Sequence, residues 1–513
     1  MRFLRRHAAV YVGAVIALVT LSPLILLATD AQAAGWGEIH RVLFRSRSAM
    51  LLRHTVVLAV LVAVLSAAVG VAAAWATERT RLPLRWLWTV LLVLPLAMPD
   101  FVVGWAWHLI DPRINPLGGA TLVMVLGTYP LVYLPVAAAL RRSDPVLEDT
   151  AHGLGVGRLA TFWRVSLPQL TPALFGGTVL VVLTVISEYG AFEILRYPTF
   201  TTEVFTEFQF EPEAAGALSM PLVLLGLLVL GADGLLSRRD GGMATGVRRP
   251  PEPPRWRPAA VPAMLALLGL AGLGVGVPVG TLVYWIRQSR ATTLPPVATL
   301  GQATWSTLEY SAGGALLAVV LATPVALMTL RRHTRTRDVL ERSTFVTQAV
   351  PGVVIALSLV YFATRFAYSV YQTSTLLVVA YALLFFPLAL VCVRASCAQA
   401  PPELADVGVS LGRHPVTVFF RVTVPLIAPG LVAGFCLVFL TAITELTATL
   451  VLAPIGVETL ATQFWAYQSE VANGAAAPYA LVIVAMAVLP GTLLGLWFDR
   501  ESRTPRRPKP VSA

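Results

Sequence analysis

The sequence predicts an all-α membrane protein with about twelve transmembrane helices in two homologous six-helix halves. Composition is the first reason: 57% of the 513 residues are hydrophobic, 13% are charged and mean hydropathy is +0.74, against about 25% charged in soluble domains. The second is that apolar runs near the ~20 residues needed to cross a bilayer recur along the chain. The third is a polar, glycine-punctuated passage written twice, VLEDTAHGLGVGRLATFWRVSLP at 146–168 and ELADVGVSLGRHPVTVFFRVTVP at 403–425.

The first half, 1–236, carries expected spans at 8–29, 54–76, 86–110, 117–140, 169–187 and 216–236. Its opening, MRFLRR, an apolar run and ATDAQAA, imitates a signal peptide, but the run exceeds the usual ~7–15 residues, so an uncleaved first helix is expected. The basic, Gly/Pro-rich stretch 237–258 lacks apolar periodicity and reads as a cytoplasmic linker. The second half, 259–498, carries spans at 259–285, 307–330, 343–367, 373–393, 427–450 and 474–498, and 499–513 is a basic tail.

A net charge of +11 could suggest nucleic acid, but the basic residues are spread over many short loops with no recognition module, so no nucleic acid is expected. Their distribution sets topology instead. With both termini cytoplasmic, the inside segments hold 29 of the 38 Lys/Arg and the outside segments 9, four of them in 30–53. Cys392, Cys397 and Cys436 form no disulfide or metal spacing and read as small apolar residues.

A fixed offset turns the similarity into evidence for duplication. Between 148 and 173 an offset of 257 gives eight identities in 26 positions, including Asp149 with Asp406, Gly155 with Gly412 and Pro168 with Pro425, where composition alone gives about two. The offset also pairs Glu188 with Glu445; nearer each half's start it becomes 252, pairing Thr55 with Thr307 and Pro99 with Pro351. Six spans per unit make the halves parallel, related by an axis along the membrane normal.

Both copies of the passage fall in the cytoplasm, within loops 141–168 and 394–425. Asp149 and Asp406 suit a helix N-terminus. Gly155 and Gly412 supply a left-handed stop. Phe162-Trp163 and Phe419-Phe420 begin an amphipathic stretch, and Pro168 and Pro425 mark the entry of the next membrane helix. A short projecting helix presented twice suits a two-fold partner; an interfacial helix lying on lipid headgroups is the competing reading.

The acidic triplet, Leu-Gly and Phe-x-x-Val-x-Leu-Pro pattern resembles the EAA loop of ABC importer permeases. The triplet is degenerate here, Asp149-Thr150-Ala151 and Asp406-Val407-Gly408, whereas Phe-Trp-Arg-Val-Ser-Leu-Pro is close. The resemblance covers nearly the whole chain and is greatest to the fused twelve-span permeases of ferric-iron importers, carried also by ISEYGAFEILRYPTFTTEVF at 186–205 and ITELTATLVLAPIGVETLATQF at 443–464. It implies a duplicated type I importer permease fold in a prokaryotic inner membrane. It also implies two copies of an ATPase subunit docked at Asp149, Ala151, Leu154, Gly155, Phe162, Pro168, Asp406, Gly408, Leu411, Gly412, Phe419 and Pro425, and an extracytoplasmic binding protein. The chain itself is not expected to be an enzyme or to bind a cofactor. Its one lysine, Lys509, lies in the tail, so a P-loop has no lysine to work with, and ATP and magnesium belong to the partner.

Intramembrane acids suggest a passage. Glu188 and Glu445 share one register at the outer end of the fifth span of each half, and paired carboxylates suit a hard cation such as Fe³⁺, a tentative pair of metal contacts. Tyr189 adds a phenolic oxygen; Asp100 is a further candidate without a symmetric mate, since Gly352 holds the matched place, and a bonded core acid is its competing reading. The alternative is that each glutamate caps its own helix end. The outer loop 188–215 carries five further glutamates against Arg196 alone, as a cation-attracting mouth or binding-protein contact would. Permeases for thiamine, phosphonate, polyamine or sulfate share the loop. An ion-coupled secondary carrier shares the twelve-span plan but has no ATPase to dock.

Overall fold

The computed structural model describes residues 21–27, 29, 35–80, 82–143, 145–236, 260–290, 294–331, 350–400 and 402–503. The expected linker, most of the first span and most of the basic tail lie outside the described residues. Every assigned element among the described residues is a helix.

Eight described helices are long and apolar enough to cross a membrane: Ser46–Arg79, Pro116–Arg141, Leu159–Ser187, Ala214–Ala232, Val261–Gln288, Val297–Met328, Ser374–Gln399 and Pro415–Ile443. Gly352–Phe366 and Asn473–Val488 are shorter apolar helices at two further expected spans. The straight span expected at 86–110 is instead a bent pair, Arg85–Ala97 and Asp100–Ile110, meeting at 90°. Two prolines explain the bend. Pro95 lies in a 3₁₀ turn, Leu94–Ala97, and Pro99 holds Met98 extended at φ −87°, ψ 125°, because a residue before proline is pushed out of the helical region. Pro351, the mate of Pro99, likewise sits immediately before Gly352–Phe366. The span expected at 427–450 is also corrected: it stops at Ile443, and a separate short helix runs over Thr447–Leu452.

Both repeated loops enter their membrane helices earlier than the prolines suggest. A π-helical turn spans Phe162–Ser166 and another Phe419–Thr423; Leu167 N–H donates to the Phe162 carbonyl and Val424 N–H to that of Phe419. The next residues, Pro168 and Pro425, have no N–H to donate, so an i→i+5 turn just ahead of them absorbs the lost helical bond. Continuous helix therefore starts near Leu159 and Pro415.

Within each half three long helices pack together: Ser46–Arg79, Pro116–Arg142 and Leu167–Ser187 in the first, Val297–Arg331, Ser374–Gln399 and Val424–Ile443 in the second. The proline-led helices cross over. Asp100–Ile110 packs on Val277–Gln288 of the second half, and Gly352–Phe366 on Phe200–Phe210 and Pro212–Leu236 of the first. Trp105 Nε1 donates to Asn473 Oδ1 at 3.1 Å, and Phe464 packs on both Phe101 and Trp105. One core thus joins Phe101, Trp105 and Phe192 to Leu282, Phe464 and Tyr479, and another joins Phe200 and Leu218 to Val353 and Leu377. Neither half closes its own apolar surface alone.

Candidate functional site

Each repeated loop folds as a short helix, a glycine turn and a second helix that runs into the membrane. The first helices are Pro145–Gly153 and Pro402–Ser410. Gly155 and Gly412 follow with φ of +80° and +79°, the left-handed conformation expected of them, which a side chain resists. The expectation for the acids is corrected. Asp149 and Asp406 are mid-helix and exposed; the acid in the first turn is Glu148.

The tips are apolar and open. Leu154 and Leu411 are 79% and 77% exposed; Trp163 and Phe420 are exposed beside them, and Pro168 and Pro425 further along. Phe162 and Phe419 are half-buried, Phe162 with its ring edge-on to Trp75. Ala151 is buried and Gly408 faces Val418, where a Cβ would come within 3.0 Å of Cγ2. The small residues of the triplets therefore serve packing within the loop, while the leucines face outward.

The first loop also carries charge contacts that no spacing announced. Arg79 places Nη2 3.1 Å from Glu148 Oε1 and 2.7 Å from Ser143 Oγ, and Ser166 Oγ donates to the same Glu148 oxygen at 3.0 Å. Beside it Glu78, 5% exposed, is paired with Arg85 and with Arg141, the latter at 2.9 Å. The places matching Glu148, Ser143 and Arg141 are Ala405, Ala400 and Ala398.

At the other end of the same helices, Glu188 Oε1 accepts from Ala191 N–H at 2.8 Å and Glu445 Oε1 from Ala448 N–H at 2.9 Å. The two carboxylates thus sit at matched helix starts, where an acid complements the exposed N–H groups. Both are half-buried. Asp100 opens the helix after the 90° bend, its carboxylate lying over Gly127, and Phe101 beside it and Leu446 beside Glu445 both close on Gly190. The structure therefore brings Asp100, Glu188 and Glu445 to one region between the halves. Gly190 lets them meet: a Cβ there would lie 2.8 Å from both Leu446 Cδ2 and Phe101 Cβ. Among the described residues no group of three or more His, Cys, Asp or Glu side chains is arranged to hold a metal ion. Tyr189 is 4% exposed, its ring 4.2 Å from Phe205 and 5.5 Å from Trp465 of the other half, so it packs the junction.

Part of the charge of the acid-rich outer loop is paired: Glu203 with Arg45 and Arg47, Glu207 with Arg45, and Glu211 with Arg41, while Glu193 is exposed. Three of the four arginines of segment 30–53, Arg41, Arg45 and Arg47, meet their counter-charges here. Behind them the outer helix Phe200–Phe210 starts with a Thr199/Thr202 capping box, and Leu460–Ser469 repeats it with Thr459 and Thr462. Thr55 Oγ1 accepts from Phe200 N–H at 3.2 Å and Thr307 Oγ1 from Leu460 N–H at 2.9 Å, a matched pair that the 252 offset had singled out.

The profile of the family described as "Binding-protein-dependent transport system inner membrane component" matches residues 66–240 and 314–503, one repeated loop in each segment. The chain belongs to that family. It is similar to the "Fe(3+)-transport system permease protein FbpB 2" of Haemophilus influenzae, 35% identical over 485 residues, 92% of this chain and 94% of that protein. The "Ferric transport system permease protein FbpB" of Actinobacillus pleuropneumoniae is 19% identical over 95% of the chain and 76% of its own length. The "Sulfate transport system permease protein CysT" of Salmonella typhimurium is 26% identical over 45% of the chain and 91% of its own length. The chain is thus a multi-pass permease component of a transporter that works with a substrate-binding protein and an ATPase, which sets aside the secondary-carrier reading.

Proposed function

We propose that this chain is the membrane-spanning permease of an ATP-driven ABC importer for ferric iron, delivered by an extracytoplasmic binding protein. The observation that carries it is the similarity to a ferric-iron permease over nearly the full length of both chains. Both termini are cytoplasmic, following the Lys/Arg asymmetry, and each repeated loop receives one ATPase copy. Leu154 and Leu411 are the anchors, presented past left-handed glycines and shielded by no other described element. The chain contributes no nucleotide site; ATP and magnesium are used by the ATPase.

Asp100, Glu188 and Glu445 line the passage. Three acids between the halves favour a hard cation and oppose an anion, so a sulfate-like cargo fits this chain less well than iron. Uptake of radioactive ferric iron by cells holding this permease, its ATPase and its binding protein tests the reading. ATP-dependent accumulation is expected, with no competition from excess sulfate. Uptake of sulfate in place of iron would overturn it.

A further inference from the structure

Glu203 stands in the first turn of the outer helix Phe200–Phe210 and is only 5% exposed. A carboxylate so enclosed needs compensating charge, and it has two arginines. Arg47 grips it as a fork, Nε 2.5 Å from Oε1 and Nη2 2.7 Å from Oε2. Arg45 places Nη2 3.2 Å from Oε1 and 2.7 Å from Glu207 Oε1, one turn further along. Both arginines sit at the outer end of the Ser46–Arg79 helix. The outer helix is therefore fastened to that helix by charge along one side, in addition to the Thr55 bond at its start. On the same helix Phe205 packs against Tyr189, ring centroids 4.2 Å apart and tilted by 32°, and Tyr189 directly follows Glu188. The second half has the outer helix and its threonine bond but different residues at these places. Gln463 and Tyr467 match Glu203 and Glu207 at the offset of 260 shared by the capping boxes, and Val297 and Thr299 match Arg45 and Arg47 at 252.

We propose that Glu203 is a positioning residue for the outer entrance of the passage, acting in the first half alone. By holding Arg45 and Arg47 it fixes the outer helix, and through Phe205 and Tyr189 it sets where Glu188 stands. This rests on Glu188 lining the passage, so the experiment reads the helix and the transport separately. Val204, fully buried in that helix, is replaced by Cys in a full-length chain whose Cys392, Cys397 and Cys436 are Ala, and a membrane-impermeant maleimide is added from outside. Glu203→Gln should speed modification by about tenfold or more, the scale of losing one charge-assisted hydrogen bond, because labelling follows local opening. Arg47→Gln, a more exposed side chain that leaves Arg45 on Glu203, should give a smaller rise, and Glu203→Asp should lie nearest the parent. Should Glu203→Gln fail to reach the membrane, Arg47→Gln decides. An unchanged labelling rate in Arg47→Gln, or in a well-inserted Glu203→Gln, overturns the clamp. In the same variants with Val204 restored, iron uptake should fall with the clamp. Faster labelling with normal uptake would keep the clamp and overturn the assignment of Glu188 to the passage.

Discussion

The Ser46–Arg79 helix and its counterpart Val297–Arg331 hold matched places in the two halves, 34 and 35 residues long, and are secured differently. Each offers one buried threonine, Thr55 or Thr307, to the first N–H of an outer helix. Beyond that bond they diverge. The first has no internal proline and ends in charge contacts: Arg45 and Arg47 with Glu203 at one end, Glu78 with Arg85 and Arg141 and Arg79 with Glu148 at the other. The second contains Pro324, and Ala398, Ala405, Gln463 and Tyr467 stand at places where the first half has charge. Duplication kept what satisfies the backbone, since a buried N–H left unpaired is costly in either copy. Charge, which can be supplied or withdrawn by single substitutions, specialised one half. Among the described residues the halves are therefore alike in fold and differ in the charge contacts found on the first.

The largest effect should fall on what both halves share. Gly155→Val and Gly412→Val place a β-branched residue at φ near +80°, where each turn is strained by at least the ~1–2 kcal/mol of a left-handed L-residue. The double variant should insert normally and lose ATPase co-purification; a normal yield of ATPase would refute docking at these loops. The single variants sharpen the contrast. Because the first loop is braced by Glu148, Gly155→Val should retain more ATPase than Gly412→Val.

Next in size is the carboxylate pair. Gln at 188 and 445 can still accept the Ala191 and Ala448 N–H bonds, so the exchange removes charge and spares the caps. Iron uptake in the double variant should fall about tenfold, the effect of ~1.4 kcal/mol in the transport barrier, and each single variant should lose less. Normal uptake at normal protein level would leave these acids with capping alone.

A smaller and symmetric effect is expected from Thr55→Val and Thr307→Val. Each keeps the shape of a buried side chain and strands one helical N–H, at a cost of about 1–3 kcal/mol. Thermal unfolding in detergent should register both shifts and show them similar. A marked difference between them would mean that the shared threonine bond is not equally used, and the contrast between the halves would extend to their backbone support.

How much of this was written in the sequence depends on the distance over which each feature is decided. Most span positions among the described residues, the repeat and the left-handed glycines follow from local composition and from the 257 and 252 offsets, and they were legible. The 90° bend was half-legible: Pro95 and Pro99 were in view, but hydropathy runs through them without a break. The charge clamps were illegible, because Arg47 meets Glu203 across 156 residues and only packing brings them together. Read along the chain, the outer loop therefore looked like free negative charge. The packing of Tyr189 was illegible for a related reason: its neighbours Phe205 and Trp465 come from an outer helix and from the other half.

The finest test of the difference between the halves is Glu148→Gln. Glu148 and Arg79 are each mostly enclosed, with side chains 16% and 17% exposed, and the carboxylate also takes the Ser166 hydroxyl. Gln keeps that last bond and can still accept from Arg79, so only the charge attraction is lost, worth about 1 kcal/mol for a pair still touching solvent. Arg79 keeps Ser143 and lies 5.8 Å from the Trp75 ring, which limits the damage further. Membrane insertion and ATPase co-purification should be unchanged. What should move is coupling: iron imported per ATP hydrolysed should fall by about twofold to fivefold, because that energy sets a tether's bias between two positions and not the existence of the loop. Raised salt should narrow the gap between Glu148→Gln and the parent, since part-exposed charges are screened. Arg413→Gln, which removes an exposed charge from the second loop, should leave coupling unaltered. An equal loss of coupling from both substitutions would mean that any charge change at a loop disturbs the ATPase, and the bracing of the first half would then carry no functional weight.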